Sequence, residues 1–591
     1  MMVVLRSTIK RATHGATRQD HLLTLTFNHH IPTSMLPIPV NRKDEQARRE
    51  IENEIDQLFQ AVVELRHRLN FLVPINHLPP ELLLEIFLFF EDGSGRSSGI
   101  KSKLTWIAVC RYWREIALET PRFWATVNLD RHVFARNRCM VLARPLPLRL
   151  LASRWCLDQN ILFDTMISNM EPINSIDFDF PHRSYPSYAK LDTIRPAILP
   201  LRSVRIANNN DLLEDFPSIL KKCTLPAIQD LELTGSISKL PPCLLGPTLI
   251  HLKLLMPSLF TDPVQFTRCL SQMSQLESLH IQEVSFRKGP IDQVPIKLKK
   301  KVTLPSLRQL CLKPPSGETE EDYILLLGTL EMPIVARLHL KFASVPVQHL
   351  PELLRVMLRA LRHLTFRSLS LCAANSAFKI GLFKNTRHPS TMDSMDCTPP
   401  IDIRLPNSSR CQRIMWDSFL HIIHLDRIQT IHLEDLDADK KFTDDRRRLL
   451  RTCHHLKVLS VVGETGPEVI NLLHGAELTN MVDGDTVSQM IVPELKTIHL
   501  TGVTWRSRQH EETVTDDSER GELVTDLVRV LQARRTAGCP IKKVVIKWGI
   551  LLYITDVDLI QEEGVVVERD DYIVDPNNED AYLNYEGGYE Y

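Results

Sequence analysis

Asp417, His421 and His424 are spaced four and three residues apart, so on a helix they share one face and offer one carboxylate and two imidazoles to a metal. No fourth ligand lies nearby, and a metal centre needs ligand number and geometry; a solvated or half-buried helix face is the expectation. Cys110 is a candidate nucleophile by type alone. It falls on an apolar helix face, where burial raises a thiol pKa and makes it inert. Gly93, Gly95 and Gly99 lack the G-x-G-x-x-G spacing and follow no strand, so they make no phosphate cradle. The 12 cysteines contain no C-x-x-C pair, which argues against zinc and disulfide frameworks and for reduced thiols. No acid, base and nucleophile converge, so a non-catalytic chain without metal or cofactor is expected.

Charge is equally uninformative about chemistry. Lys and Arg number 71 against 72 Asp and Glu, for a net charge of −1, so no global field recruits nucleic acid or an anionic membrane. Two basic clusters, Lys297, Lys299, Lys300 and Lys301, and Arg446, Arg447, Arg448 and Arg451, have the composition of nuclear-import patches or of exposed charged faces; the exposed face is expected. No apolar run approaches the ~20 residues that span a bilayer. Arg6, Lys10, Arg11 and Arg18 precede the first acidic residue, Asp20, a bias shared by transit peptides and basic leaders. A disordered leader over 1–40 and a cytoplasmic or nuclear location, or both, are the expectations.

Information lies instead in the elements. A chain of 591 residues exceeds one core, so two or more domains are expected. The richest stretch runs from His77 to Trp124. Pro79 and Pro80 sit where a first helical turn tolerates proline. Leu83, Ile86, Phe87 and Phe90 recur at helical spacing, with Leu82 and Phe89 widening the stripe. A second helix carries Trp106, Val109, Cys110, Trp113 and Ala117 on one side and ends at Pro121. So small a unit cannot bury that surface alone, which predicts a permanent partner.

Leu78-Pro79, Glu81, Ile86-Phe87, Val109-Cys110-Arg111-Tyr112-Trp113 and Trp124 resemble the F-box, the helical motif that docks substrate receptors onto a cullin-RING ubiquitin ligase. The match covers about fifty residues. Its loop, 91–103, is longer than the family usually carries, an insertion that loop entropy tolerates. The resemblance implies an F-box domain over 71–130, with Leu78, Pro79, Leu82, Ile86, Phe87, Val109, Cys110, Trp113 and Trp124 binding the ligase adaptor and, through it, a cullin.

Upstream, residues 43–70 form an amphipathic helix with Ile51, Ile55, Leu58, Val62, Leu65 and Leu69 alternating at four and three residues. About three heptads are the lower limit for a coiled coil. Two readings stand: a seam that pairs two copies into a homodimer, and a seam that packs inward on the neighbouring helices.

From residue 145 onward a beat recurs, apolar-x-x-apolar-x-apolar, the pattern of a short strand. It runs from Ile173-Ile176-Phe178 through Leu276-Leu279-Ile281, Leu307-Leu310-Leu312, Val335-Leu338-Leu340 and Phe366-Leu369-Leu371 to Ile541-Val544-Ile546. Most spacings, near 21 to 31 residues, are those of a leucine-rich repeat, and helical segments fill the gaps. The span 145–550 resembles a divergent leucine-rich-repeat array behind an F-box, as in large fungal F-box families. The family's asparagine ladder is mostly missing; Asn209 fits it, but Asp211 replaces the following leucine. The expected fold class is therefore an α/β repeat: an N-terminal helical domain, then a solenoid with short parallel strands. A doubly wound α/β sheet is the competing architecture.

By strand alternation the residue between the last two apolar positions of each beat faces away from the core. Those residues are Arg205, Glu232, Lys253, His280, Cys311, His339, Ser370, His432, Ser460 and His499, a polar, histidine-rich ladder and the candidate substrate face. Surface loops are expected at 384–400, before a possible strand at Ile401-Ile403-Leu405, and at 506–522. An acidic tail is expected over 556–591, with tyrosines at 572, 582, 585, 589 and 591 and no Lys or Arg beyond Arg569. The resemblance implies a non-catalytic substrate-recognition subunit of an SCF-type ubiquitin ligase that binds an as yet unidentified protein. A repeat-based interaction scaffold is the alternative, and an enzyme would need a convergent site that the residues do not supply.

Overall fold

The computed structural model describes residues 42–570, apart from 94–98, 130–132, 153–172, 181–196, 199, 209–222, 236–243, 256–262, 287–300 and 316–319, and from 334, 346–347, 362, 375–376, 387–398, 420–423, 435–442, 475–476, 479–487, 506–521 and 551. The 1–40 leader, Asn209, Asp211, Lys297 to Lys300, His421, most of both expected loops and the five tyrosines of the tail lie outside the described residues. The chain divides into two compact units, Met1–Asn210 with Lys222–Ala227, and Asp211–Lys221 with Ile228–Tyr591.

The first unit opens with α1 (Arg42–Phe71), free of Gly and Pro, with Asp44 and Glu45 in its first turn and Arg68 in its last. These charges complement the helix dipole. Arg48–Glu52 at 2.9 Å and Arg49–Glu45 at 3.1 Å add exposed i,i+4 pairs, which solvent screens strongly. A 3₁₀ turn (Pro74–His77) leads to α2 (Pro80–Gly93), where the Leu82 and Leu83 amides both donate to the Pro79 carbonyl. The single second helix expected up to Pro121 is in fact two, α3 (Gly99–Val109) and α4 (Arg111–Glu119), broken at Cys110, whose backbone is extended. Seven residues of continuous helix would set Trp106 and Trp113 two turns, about 10 Å, apart. The break brings their ring centroids to 5.6 Å. A short helix, α5 (Pro121–Trp124), then enters β1 (Thr126–Asn128).

After α6 (Val133–Ala143) come β2 (Leu148–Ala152), β3 (Ile173–Phe180) and β4 (Ser203–Asn208), and β1 to β4 form a parallel ladder in chain order. The sheet thus begins at Thr126, inside the span assigned to the helical domain and well before residue 145. Three residues are too few to announce a period, although Val127 is fully buried.

Of seventeen strands in mostly parallel ladders among the described residues, thirteen belong to the second unit. In chain order they are β5 (Asp230–Gly235), β6 (His251–Leu255), β7 (Ser278–Gln282), β8 (Gln309–Lys313), β9 (Arg337–Lys341), β10 (Ser368–Ala374) and β11 (Ala377–Phe383). The remainder are β12 (Ile401–Pro406), β13 (Thr430–Glu434), β14 (Val458–Val462), β15 (Thr497–Thr501), β16 (Lys543–Lys547) and β17 (Val566–Arg569). Helices cross between most of them: α7 (Pro263–Leu270), α8 (Glu320–Thr329), α9 (Leu350–Leu361), α10 (Ser409–Phe419), α11 (Thr443–Thr452), α12 (Thr465–His474), α13 (Glu522–Thr536) and α14 (Ile554–Glu562). Parallel neighbours require such crossovers, and the architecture is α/β. The beat residues form the core: Leu310, Leu312, Leu338, Leu340, Ile431, Leu433, Ile498, Leu500, Val544 and Ile546 are each at most 1% exposed.

Spatial order follows chain order except at one place. β9 pairs with β12, which runs antiparallel to β11, which runs antiparallel to β10, which pairs with β13. The expected strand at Ile401 is therefore real but sits next to β9. The hairpin strand β11 escaped the sequence reading because Phe378, Ile380 and Leu382 alternate strictly and lack the three-residue lead-in of the beat.

The chain end also differs from expectation. Instead of an acidic tail from residue 556, Ile554–Glu562 is a helix with Asp556, Val557 and Ile560 buried, and Val566–Arg569 adds a parallel strand beside β16. The apolar positions at 557, 560 and 565 outweigh the surrounding acids. The arginine cluster is only in part an exposed face: Arg448 is exposed, and Arg447 and Arg451 are half-buried. Arg446 is buried and ion-paired with Glu468, while Arg447 pairs with Asp444 and Arg448 with Asp445.

Candidate functional site

Two groups of side chains were expected to carry function: the first lies in the first unit, and the second, Arg205 apart, in the second unit. In the first, Phe87 is the hub of an aromatic cluster. Its ring lies 5.0 Å from Trp106, 5.1 Å from Trp113 and 5.9 Å from Phe123, and Trp124 meets Phe123 edge to face at 5.1 Å. Such pairs add stabilisation beyond area burial. The indole N–H groups are satisfied: Trp113 Nε1 donates to Asn76 Oδ1 at 2.6 Å and Trp124 Nε1 to the Ala117 carbonyl at 2.6 Å. Lys103, buried, donates to the Thr126 carbonyl at 2.7 Å and lies over the Phe123 ring at 5.4 Å. Tyr112 Oη donates to the Leu78 carbonyl, and Arg122 joins Glu85 at 2.9 Å.

This geometry sorts the nine expected contact residues. Phe87, Cys110, Trp113 and Trp124 are buried inside the unit and hold it together, so they are corrected from contact residues to core. Leu78 and Ile86 are half-buried, whereas Pro79, Leu82 and Val109 stand exposed, Leu82 at 52% and Val109 at 42%. Sequence reasoning missed Asn76 and Lys103, polar residues that satisfy the cluster. A buried tryptophan needs a partner for its N–H, which was the available signal.

The whole seam of α1 is exposed as well. Ile51, Ile55, Leu58, Val62, Leu65 and Leu69 range from 45% to 66%. The inward-packing reading is corrected: the described residues leave this seam open.

In the second unit the strand register aligns the predicted ladder. Glu232, Lys253, His280, Cys311 and His339 follow one another across β5 to β9, and Asp402, Gly381, Ser370, His432, Ser460 and His499 continue the row. Arg205 belongs to the first unit, where it approaches Asp177 at 3.9 Å. Glu232 to His339, and Ser370, are half-buried. His432, Ser460 and His499 are buried and are corrected from surface ligands to interior groups. Over β13 to β16 both strand faces are largely covered, a tertiary outcome that alternation within a strand does not encode.

Burial controls the chemistry of this row. It lowers the pKa of His280, with the Lys253 charge adding to the effect, and it lowers that of His339. Both imidazoles are therefore biased toward the neutral form, and a transition centred on the ordinary 6.5 moves to lower pH. Burial pushes the Cys311 thiol up to about 11, which leaves it without nucleophilic character at neutral pH. The His432 hydrogen bond holds the Glu434 carboxyl below its usual range.

One row further along the same strands lies a feature the ladder overlooked. Lys313, Lys341, Arg404 and Lys379 occupy adjacent positions on β8, β9, β12 and β11. The first two were legible two residues past Cys311 and His339; the other two became neighbours only through the β10–β12 rearrangement. Among the described residues no three or more His, Cys, Asp or Glu gather as a metal-binding group, and no helix is long and apolar enough to cross a membrane. Compared with models of known protein families and with curated proteins, the chain matches none.

Proposed function

We propose that this chain is a non-catalytic substrate-recognition subunit of an SCF-type cullin-RING ubiquitin ligase. Its F-box-like helices would hold the adaptor, and its leucine-rich-repeat-like strands would hold a target protein. One observation carries the reading: the helical unit closes its own aromatic core yet leaves Pro79, Leu82 and Val109 exposed, three of the residues to which the F-box resemblance assigns adaptor binding. Exposed apolar surface around a rigid core is the usual form of a protein-docking site. The repeated parallel strands with helical crossovers support a repeat-type receptor, although the β12–β11–β10 insertion is foreign to a regular array. Ubiquitin transfer would fall to other subunits, with this chain supplying proximity and orientation.

Affinity purification of the full chain with mass spectrometry tests the proposal. An adaptor and a cullin are expected among the captured proteins and should vanish with Leu82→Asp plus Val109→Asp. Their absence from wild-type captures would overturn it in favour of a repeat-based scaffold without a ligase role. The exposed seam of α1 supports a second element of the proposal, pairing of two copies through residues 43–70.

A further inference from the structure

The four cations found one row beyond the histidine ladder sit on neighbouring strands. Strands about 4.8 Å apart place Lys313, Lys341, Arg404 and Lys379 along a line of roughly 14 Å. Arg337, exposed two positions before His339, adds a fifth cation on the same face of β9. Two of the five are offset internally: Lys313 pairs with Glu283, and Arg404 with Asp402 at 3.1 Å. Lys341, Lys379 and Arg337 form no ion pair among the described residues. On β8, β9, β11 and β12 this face carries five cations against the anion Asp402, and the carboxylates Glu283 and Glu434 flank the row near Lys341 and Lys379, which leaves an excess of positive charge in a protein whose net charge is −1. Holding like charges side by side on rigid strands costs free energy, and an anionic ligand would relieve it.

We infer that this face of β8, β9, β12 and β11 binds an acidic, extended segment of a partner protein, laid across the strands. In an extended chain alternate side chains on one side recur every 6.6 Å or so, so carboxylates at i, i+2 and i+4 span about 13 Å, close to the length of the row. The half-buried Gln309, Cys311 and His339 beside the row offer neutral contacts for the segment's backbone. The inference rests on the reading of this sheet as a target-binding surface and specifies the chemistry of the target.

The test is fluorescence anisotropy with the full chain and a labelled twelve-residue peptide carrying Glu at alternate positions, against the same peptide with Gln. The Glu peptide should bind at least tenfold more tightly, and affinity should fall as NaCl rises from 50 to 300 mM. Lys341→Glu with Lys379→Glu should weaken binding at least tenfold. Lys496→Glu with Lys542→Glu, the same charge change elsewhere on the unit, should leave it unaltered. Equal loss in both double variants, equal binding of the Gln peptide, or no binding of the Glu peptide at 1 mM each overturns the inference. So does tighter, K341E/K379E-sensitive binding of a single-stranded oligonucleotide, which would reassign the row to nucleic acid. Adaptor capture by the same preparation is scored separately. Capture without peptide binding sinks the acidic segment alone, and peptide binding without capture sinks the ligase reading alone.

Discussion

His432 Nδ1 lies 3.0 Å from Ser460 Oγ, a hydrogen bond between adjacent parallel strands in which both residues are 1% exposed. The Glu434 carboxylate stands 3.7 Å from the other ring nitrogen. A buried polar pair is stabilising only while both members stay satisfied. Ser460→Ala is expected to cost about 1–3 kcal/mol, because the imidazole loses a partner it cannot replace with water. Replacing both residues, as His432→Leu with Ser460→Ala, should cost less than the sum of the single changes. Chemical denaturation of the four proteins gives the coupling directly, and strict additivity would show that the bond contributes nothing.

In the helical unit, buried and exposed apolar side chains should respond differently to substitution. Trp113→Ala removes a ring from the cluster around Phe87 and breaks the bond to Asn76, so a loss of about 3–5 kcal/mol is expected. Leu82→Asp changes a side chain that is 52% exposed and should alter stability by no more than about 0.5 kcal/mol. Thermal unfolding read at tryptophan fluorescence distinguishes the two. A large shift for Leu82→Asp would mean that Leu82 belongs to the core.

Pairing through α1 has an oligomeric signature. Light scattering on the purified chain should report a dimer at micromolar concentration, and Leu58→Asp with Val62→Asp should convert it to a monomer with unchanged helix content elsewhere. A wild-type monomer at 50 µM would remove the seam as a self-association site.

His280 and His339 also make stability depend on pH. Both have pKa values below the ordinary 6.5, chiefly through burial, so the unfolded chain binds more protons than the native state near neutrality. Stability is then complete above pH 7 and declines as pH falls below 6.5 toward the folded-state values. Glu283 and Glu434, whose values lie below the ordinary 4.5, contribute a separate decline at more acidic pH. The melting temperature should fall between pH 7 and pH 5, and His280→Asn with His339→Asn should flatten that slope. An unchanged slope in the double variant would place the effect elsewhere.

Much of this protein was legible in its sequence because the information is local. The apolar beat specifies short strands, since alternation decides which side chains face inward, and its spacing leaves room for crossover helices. The order of Trp106, Trp113, Phe123 and Trp124 marks an aromatic-cored helical unit, and the heptad of residues 51–69 marks an amphipathic helix. What the sequence could not decide depends on contacts between distant residues. The break at Cys110 follows from packing Trp106 against Trp113, which a continuous helix forbids. The β10–β12 rearrangement depends on which strand edge is free when the hairpin closes. It also creates the cationic row, because Lys379 and Arg404 become neighbours of Lys341 only in that order. The same ladder position is half-exposed at His280 and His339 and buried at His432 and His499. Alternation sets the direction in which a side chain points, while the tertiary structure determines what, if anything, covers it.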